Sequence, residues 1–217
     1  MRIIYISDIH GKLGAIERLP EADLCLVGGD FTTLGGASEV RAVVEAVARR
    51  YPAFLGVLGN MDLPEAQGVL SATGHLLPEA PADVSGIRML GLGGANRSPF
   101  NTPNEWDEAC AEARFSGLAE GTLEIAVTHA PPFESGADRI GGGLSVGSRA
   151  VAAMVKAVKP ALLLCGHIHE AAGIFQFGES IVVNPGAFGD EGHYAEIRWE
   201  PGGKPSVWLA TALATSA

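Results

Sequence analysis

Five short apolar segments of this sequence each end in side chains that can bind a divalent metal ion. The segments read YISDIHG, LVGGDF, GVLGNMD, AVTHAPP and LLCGHIHE, and they supply Asp8, His10, Asp30, Asn60, His129, His167 and His169. Imidazole, carboxylate and a neutral amide oxygen together suit borderline ions such as zinc, manganese or iron. Because these candidates exceed the roughly four to six ligands of one first-row ion, the residue types favour two ions that share a carboxylate.

Each of these motifs is weak when it stands alone. An Asp-x-His sequence after a strand is more often a capping turn than a metal site, and a Gly-Asp pair is weaker still. The GHIH motif is stronger, because His167 and His169 lie two residues apart and share one side of an extended chain. The occurrence of all these motifs together favours a metal site. Four of the six histidines follow apolar segments in this way, and only His75 and His193 do not.

The elements that must position these side chains are short apolar runs, alternating with amphipathic stretches. Six runs are continuous, as in strands covered on both faces, at 2–6, 23–28, 53–59, 87–93, 123–127 and 161–165. Three later runs, at 180–184, 194–200 and 206–211, show more alternation of apolar and polar residues than the first six. They are typical of antiparallel strands toward the edge of a sheet. Helical spacing covers 38–51 and 145–159, each beginning near a serine that could cap it.

This order of elements predicts an α/β fold, with a mixed sheet covered by helices on both faces. In open α/β sheets, ligands bind beyond the carboxyl ends of the strands, so the seven candidates are expected to meet there. The segment 93–121 lacks strand character and is expected to be a loop with one or two helices that shapes a substrate pocket. The glycine-rich segment 141–147 has no P-loop lysine and indicates a flexible lid or a helix entry.

Length and composition limit the function classes. The 217 residues predict a single domain over 1–217. The net charge of −10 disfavours a nucleic-acid partner. No apolar run reaches the length of a membrane span, and the apolar run among the first residues is too short for that of a signal peptide. Cys25, Cys110 and Cys165 form no CxxC pair, which favours the reducing cytoplasm.

The ordered motifs SDIHG, GGD, GNMD, THAPP and GHIH resemble the calcineurin-like metallophosphoesterase family over residues 7 to about 170. The segment 182–190, VVNPGAFGD, is similar to the turn that follows the site in small bacterial and archaeal members. The resemblance implies a four-layer αββα sandwich, with two mixed β-sheets flanked by helices and a dinuclear metal site at the strand ends. It implies that one ion is held by Asp8, His10 and His169, that the other is held by Asn60, His129 and His167, and that Asp30 bridges them.

Two residues beside Asn60 refine this expectation. Asp62 is expected to lie just behind the ligands and to orient them. Met61 departs from the family, which most often has a histidine there that helps the leaving group depart. A methionine that packs in a strand-end gap is the simpler interpretation, because a thioether cannot donate a proton. The loss of a general acid costs on the order of 10²- to 10⁴-fold in rate.

The resemblance and the residue types together predict a hydrolase that uses water activated between two divalent metal ions to attack a phosphate ester. Because Met61 cannot assist a poor leaving group, the expected substrate is a small phosphodiester rather than a monoester. Arg97, Arg139 and Arg149 could clamp its phosphate from loops, although a lone loop arginine is usually a solvated charge. The alternative is a non-catalytic metal-binding or protein-interaction module on the same fold.

Overall fold

The continuous apolar runs form parallel strands of two β-sheets in the computed structural model, which describes residues 1–200 and 203–213. The strands are β1 Arg2–Ile6, β2 Leu24–Val27, β3 Phe54–Gly56, β4 Ala82–Val84, β5 Ile87–Leu92, β6 Ala95–Asn96, β7 Glu105–Trp106, β8 Ile125–Thr128, β9 Arg139–Ile140, β10 Leu144–Ser145, β11 Leu162–Leu164, β12 Gly173–Phe177, β13 Ser180–Asn184, β14 His193–Arg198 and β15 Ser206–Thr211. The helices are α1 Ala37–Arg50, α2 Glu65–Thr73, α3 Glu108–Phe115, α4 Arg149–Val158 and α5 Phe188–Glu191.

Both large sheets are mixed. The first has the order β15-β14-β1-β2-β3, in which β1, β2 and β3 are parallel while β14 and β15 add antiparallel strands at one edge. The second has the order β12-β13-β11-β8-β5-β4, with four parallel strands inside and an antiparallel strand at each edge. The parallel strands of each sheet therefore deliver their carboxyl ends to one edge.

Alternate residues of β1 show how the layers stack. Ile4 and Ile6 pack in a hydrophobic cluster with α1, whereas Ile3 and Tyr5 belong to a second cluster shared with strands of the other sheet. A third cluster joins the opposite face of the second sheet to α3 and α4. Because the clusters lie between helix and sheet, between the sheets, and between sheet and helix, the predicted four-layer αββα sandwich is confirmed.

At the starts of α1 and α4, local hydrogen bonds replace the missing helical partners. At the start of α4, Ser148 Oγ accepts a hydrogen bond from Val151 N at 3.1 Å, and both carboxylate oxygens of Glu108 accept from the next N–H groups. This confirms a serine cap, although at position 148 and not at the predicted start of the helix. At α1 the predicted serine cap is wrong, since Gly36 is the cap and its N–H donates to Glu39 Oε2 at 2.7 Å.

The structure differs from the sequence-based expectation at several elements. Segment 93–121 contains the short parallel strands β6 and β7 in addition to α3, so its predicted lack of strands is wrong. Strand β13 is parallel to β11 and antiparallel only to β12, because it lies inside the second sheet. Helix α2 and strand β12 were not predicted. In the part of the chain that the structure describes, no helix has the length and apolar character needed to cross a membrane.

Candidate metal centre

The seven candidate ligands come from the carboxyl ends of parallel strands in both sheets. Asp8 and His10 follow β1, Asp30 follows β2, and Asn60 comes four residues after β3. In the second sheet, His129 directly follows β8, while His167 and His169 follow β11. The structure brings all seven together: His10, Asp30, Asn60, His167 and His169 line one cavity, and the buried Asp8 and His129 contact members of that set.

The turns that carry these side chains have an uncommon backbone conformation. Asp8, His10, Asp30 and His167 have φ angles of 58°, 50°, 50° and 68°, in the left-handed region that L-residues other than glycine rarely enter. Such angles cost free energy and persist where the surrounding contacts hold them, which is common at functional sites. Here the hydrogen bonds from Asp8 N to Gly29 O, at 3.0 Å, and from His10 N to Asp30 O, at 2.9 Å, tie the turns together.

Asp30 lies at the centre of the group. Its Oδ1 accepts a hydrogen bond from Met61 N at 2.8 Å, which fixes the orientation of the carboxylate. Its Oδ2 lies 3.7 Å from His10 Nε2 and 3.5 Å from His129 Nε2, between two imidazoles that come from different sheets. The Asp30 carboxylate packs against the backbone of Gly59, and only glycine leaves room for it there, because a Cβ at position 59 would collide with Asp30 Oδ1.

Asp8 links two sets of potential ligand atoms. Asp8, His10 and His169 offer atoms that all lie within 4.8 Å of one another, and so do Asp8, Asp30 and His129. Asp8 Oδ1 lies 3.1 Å from His169 Nε2 but accepts no well-oriented hydrogen bond among the described residues. A buried carboxylate oxygen without a donor is costly unless a cation compensates it, so this atom fits a metal ligand.

His129 and Asn60 form the other side of the group. His129 Nδ1 lies 2.7 Å from Gly28 O, a carbonyl that can only accept, so Nδ1 carries a proton. His129 Nε2 lies 2.9 Å from Asn60 Oδ1, while Asn60 Nδ2 donates to Thr102 Oγ1 at 3.0 Å. With the proton on Nδ1, the neutral form of His129 would turn the lone pair of Nε2 toward another acceptor, an arrangement that a shared cation would stabilise.

His167 is placed differently from the other candidates. Its ring lies 5.1 Å from that of His129 and borders the cavity, and its backbone N–H donates to Asp8 Oδ2 at 3.2 Å. It belongs to neither close set of ligand atoms found among the described residues. It lies beside His129, and the role of His167 as a ligand of the same ion, which the family resemblance implies, stays a prediction.

The electrostatics of the group follow from burial. Burial raises the pKa of Asp30 to about 7, and the nearby Asp8 acts in the same direction. Burial lowers the pKa of His167 to about 3, and the neighbouring His129 adds to this effect. For Asp8, burial pushes the pKa upward, but the close imidazoles of His169 and His129 hold it below its usual range. Burial thus disfavours the charged forms of Asp30 and His167, whereas the contact with Asp8 raises the pKa of His169 above its usual value.

Asp62 contacts the turns that carry the ligands. Its fully buried carboxylate accepts hydrogen bonds from Gly59 N at 2.8 Å, Thr32 N at 2.9 Å and Phe31 N at 3.1 Å. These donors belong to the turns after β2 and β3, so Asp62 joins the segment of Asp30 to the segment of Asn60. Asp62 thus lies beside the turns that carry Asp30 and Asn60, and its orienting role stays a prediction.

Segment 93–121 supplies polar residues that sequence reasoning missed. Glu105 accepts hydrogen bonds from the hydroxyls of Ser98, at 2.6 Å, and Thr102, at 2.7 Å, and from their backbone N–H groups. Thr102 therefore donates to Glu105 and can only accept from Asn60. Asn104 N also donates to Asn60 O at 3.1 Å. The only sequence signal was the density of Ser, Asn and Pro in this segment, which does not reveal its contact with Asn60.

The cavity over the site has a volume of about 640 Å³. Met61 borders it and is half-buried, so its side chain faces the place where a substrate would lie instead of packing fully inside. None of the three candidate arginines borders the cavity: Arg97 pairs with Asp107, Arg149 lies over the Phe133 ring at 3.9 Å, and Arg139 is exposed on β9.

The two remaining histidines lie outside the site, as the sequence predicts. His75 stacks on Phe54 with ring centroids 3.8 Å apart, and its Nδ1 contacts Phe54 O. His193 Nδ1 lies 2.9 Å from Glu191 Oε2 at the start of β14. The glycine-rich segment 141–147 forms a turn and the strand β10, which pairs with β9.

Comparisons with known proteins agree with this arrangement. A family model described as the calcineurin-like phosphoesterase superfamily domain matches residues 1–198. The uncharacterized protein MJ1162 of Methanocaldococcus jannaschii is 34% identical over 194 residues, which cover 85% of this chain and 88% of that protein. The structure of TT1561 from Thermus thermophilus aligns with a TM-score of 0.72 and 20% identity, over 98% of this chain and 99% of that one. A novel archaeal phosphodiesterase shares the fold with a TM-score of 0.51 and 11% identity, over 97% of this chain and all of that one.

Proposed function

The chain belongs to the calcineurin-like phosphoesterase superfamily, and from that premise we propose that it is a dinuclear metal-dependent hydrolase of small phosphodiesters. The observation that carries the proposal is the position of Asp30 Oδ2, 3.7 Å from His10 Nε2 and 3.5 Å from His129 Nε2. A carboxylate oxygen between two imidazoles is what a ligand shared by two ions requires. Its other oxygen is held by Met61 N, so it is already oriented for that role.

The donor set fits two divalent ions, which we propose to be manganese, iron or zinc. Asp8, His10 and His169 would hold one ion, Asn60, His129 and His167 the other, and Asp30 would contact both. When bound, the ions would supply a nucleophile at neutral pH and would neutralise charge on the phosphoryl oxygens.

The side chains and backbone of the chain prepare the site for this role. Gly28 O accepts a hydrogen bond from His129 Nδ1, so the proton of the neutral imidazole lies on Nδ1 and Nε2 can bind an ion. Thr102 Oγ1 accepts from Asn60 Nδ2 and so turns Asn60 Oδ1 toward His129. Asp62 holds the turns after β2 and β3 at a fixed separation through three backbone N–H groups. These contacts restrict the ligands before any ion binds, which favours affinity.

Met61 limits the proposed substrates to esters with good leaving groups. The residue borders the cavity beside Asn60 and can neither donate nor accept a proton at the leaving oxygen. A monoester or diester with a poor leaving group would then react slowly, because general acid assistance is usually worth on the order of 10²- to 10⁴-fold. The existence of an archaeal phosphodiesterase with this fold supports the proposal at the level of the fold alone.

Charge and cysteine content support proposals for the substrate and the cellular compartment. We propose a small phosphorylated molecule as the substrate, because the net charge of −10 gives no general attraction for a nucleic-acid backbone. The free thiols of Cys25, Cys110 and Cys165 support a role in the reducing cytoplasm. We propose one domain over 1–217, although residues 201–202 and 214–217 lie outside the described residues.

The test compares hydrolysis of bis(p-nitrophenyl) phosphate and p-nitrophenyl phosphate by metal-stripped protein, before and after addition of Mn²⁺. We expect metal-dependent cleavage of the diester, slower cleavage of the monoester, loss of both in His129→Ala, and retention in His193→Ala, which removes a histidine outside the site. Equal turnover of the two esters would contradict the diester preference. Metal binding without cleavage of either ester would favour the non-catalytic module.

A further inference from the structure

The cavity over the metal-ligand group is much larger than a phosphoryl group. Its volume of about 640 Å³ lies in the range of small-molecule sites, which is roughly 300–1,000 Å³. The candidate ligands form one part of its lining, and Leu34, Met61, Phe100 and Pro103 form an apolar part. We call these four residues the apolar wall.

Two residues of the apolar wall are exposed in a way that folding alone does not explain. Phe100 is 84% exposed and Leu34 is 52% exposed. Large apolar side chains that meet at one cavity, beside polar groups that converge on it, are characteristic of ligand sites. Both side chains would lose exposed area if an apolar group entered the cavity.

Leu34 is held in place by a strained backbone. Its φ angle is 59°, which is uncommon for any residue with a Cβ and has no support from a polar side chain, as Asn or Asp would give. Its N–H donates to Met61 O at 3.1 Å, so the turn of Leu34 is tied to the turn of Asn60. The strain therefore holds Leu34 at the cavity.

Phe100 is presented by an ordered turn. Its N–H donates to Ser98 Oγ at 3.2 Å, and Ser98 in turn donates to Glu105. The same carboxylate binds Thr102, which contacts the metal-ligand candidate Asn60. One hydrogen-bonded turn thus connects the position of Phe100 to the position of a proposed ligand.

The lining of the cavity contains neither of the two side chains that are always charged at neutral pH. None of its eleven lining residues is a lysine or an arginine. A substrate with additional phosphates or carboxylates would find no counter-charge beyond the ions. An ester group without charge, by contrast, would bury apolar surface against Leu34 and Phe100.

We propose, on the basis of the function proposed above, that the apolar wall binds an uncharged, apolar ester group of the substrate, with an aromatic ring preferred. Phe100 offers a ring on which an aromatic group can stack or pack edge to face. Leu34 and Met61 are adjacent in the lining, since Leu34 N donates to Met61 O, and they add apolar surface beside Asn60. The substrate class is therefore a phosphodiester that carries an aromatic or similarly apolar group.

The test uses two diesters with the same p-nitrophenol leaving group and either a methyl or a phenyl group as the second ester. We expect kcat/KM for the phenyl ester to exceed that for the methyl ester by about tenfold, as for other apolar contacts of this size. In Phe100→Ala and in Leu34→Asn the ratio should fall toward one. Leu144→Ala, which removes a leucine that is 62% exposed away from the cavity, should retain the wild-type ratio. Asn suits the left-handed turn at position 34, so this variant should fold.

A binding measurement separates this inference from the proposed hydrolysis. Phenylphosphonate should bind the Mn²⁺-loaded wild-type protein about tenfold more tightly than methylphosphonate, and Phe100→Ala should remove most of that difference. This result would support the apolar wall even if neither ester were cleaved. Equal binding of the two phosphonates, or a phenyl preference that persists in both wall variants, would overturn the inference.

Discussion

His129 Nε2 lies 2.9 Å from Asn60 Oδ1, and the contacts of both side chains make the facing atoms acceptors. Gly28 O accepts a hydrogen bond from His129 Nδ1, and Thr102 Oγ1 accepts a hydrogen bond from Asn60 Nδ2. Two facing lone pairs repel unless a cation or a proton lies between them. A divalent ion bound by both atoms would remove this repulsion, as the proposed dinuclear site requires.

Asn60→Ala should weaken the gain in thermal stability that Mn²⁺ gives to the metal-stripped protein. A ligand stabilises the folded state according to its affinity, and each tenfold loss in affinity removes about 1.4 kcal/mol at saturation. For a chain of this length, that loss corresponds to roughly 3 °C in Tm. Thermal unfolding with and without Mn²⁺ measures the difference.

Asn96→Ala is the matched control for this measurement. Asn96 donates to Val146 O away from the ligands, so the variant should change Tm equally with and without the ion. A full metal-dependent gain in Asn60→Ala would show that Asn60 does not hold an ion.

Thr102→Val should lower metal affinity although Thr102 is not a proposed ligand. Valine keeps the shape of threonine but cannot accept from Asn60 Nδ2, so the amide loses the contact that orients Oδ1. Loss of such an orienting contact typically costs about 10- to 100-fold in affinity. Calorimetric titration with Mn²⁺ measures it, and Thr102→Ser, which keeps the hydroxyl, should restore most of the affinity. Equal affinities in the Val and Ser variants would assign Thr102 a purely packing role.

Glu105 should make the stability of the protein sensitive to acid. Partial burial pushes its pKa upward, but hydrogen bonds from Ser98 and Thr102 outweigh this and lower the pKa to about 2. Because the folded-state pKa lies below the ordinary value of 4.5, the carboxylate stabilises the fold above pH 4.5, and this contribution is lost as the pH falls toward 2.

Glu105→Gln should therefore lower the free energy of unfolding most at pH 7, by about 1–3 kcal/mol, and least near pH 2. Denaturant unfolding across this pH range measures the difference from wild type. Glu112→Gln removes the same charge from an exposed position of α3 and should change stability by less than about 0.5 kcal/mol. A difference at Glu105 that does not vary with pH would contradict the assignment.

The convergence of the seven candidates could be predicted from the sequence for one physical reason, whereas the four layers were implied only by the resemblance to the family. Continuous apolar runs indicate parallel strands, and parallel strands bring residues such as Asp8 and His129 to a common edge although they are far apart in the chain. The roles of Thr102, Glu105 and Leu34 could not be predicted in this way. They depend on where segment 93–121 packs against the turn of Asn60, and on a backbone angle at Leu34 that no local pattern encodes. The assignment of individual ligands to ions stays a prediction.

Met61→His should speed the hydrolysis of esters with a poor leaving group more than that of esters with a good one. The variant places an imidazole at the cavity, next to the turn that holds Asp30 Oδ1, where it can donate a proton to a poor leaving group. We expect kcat for phenyl phosphate, whose leaving group is poor, to rise about 10- to 100-fold relative to kcat for p-nitrophenyl phosphate, whose leaving group needs little protonation. Met61→Gln, which adds a polar group that cannot act as a general acid, separates proton donation from polarity. If Met61→His changes both rates alike, or if Met61→Gln changes their ratio as much as Met61→His does, the missing general acid at position 61 does not limit the leaving group.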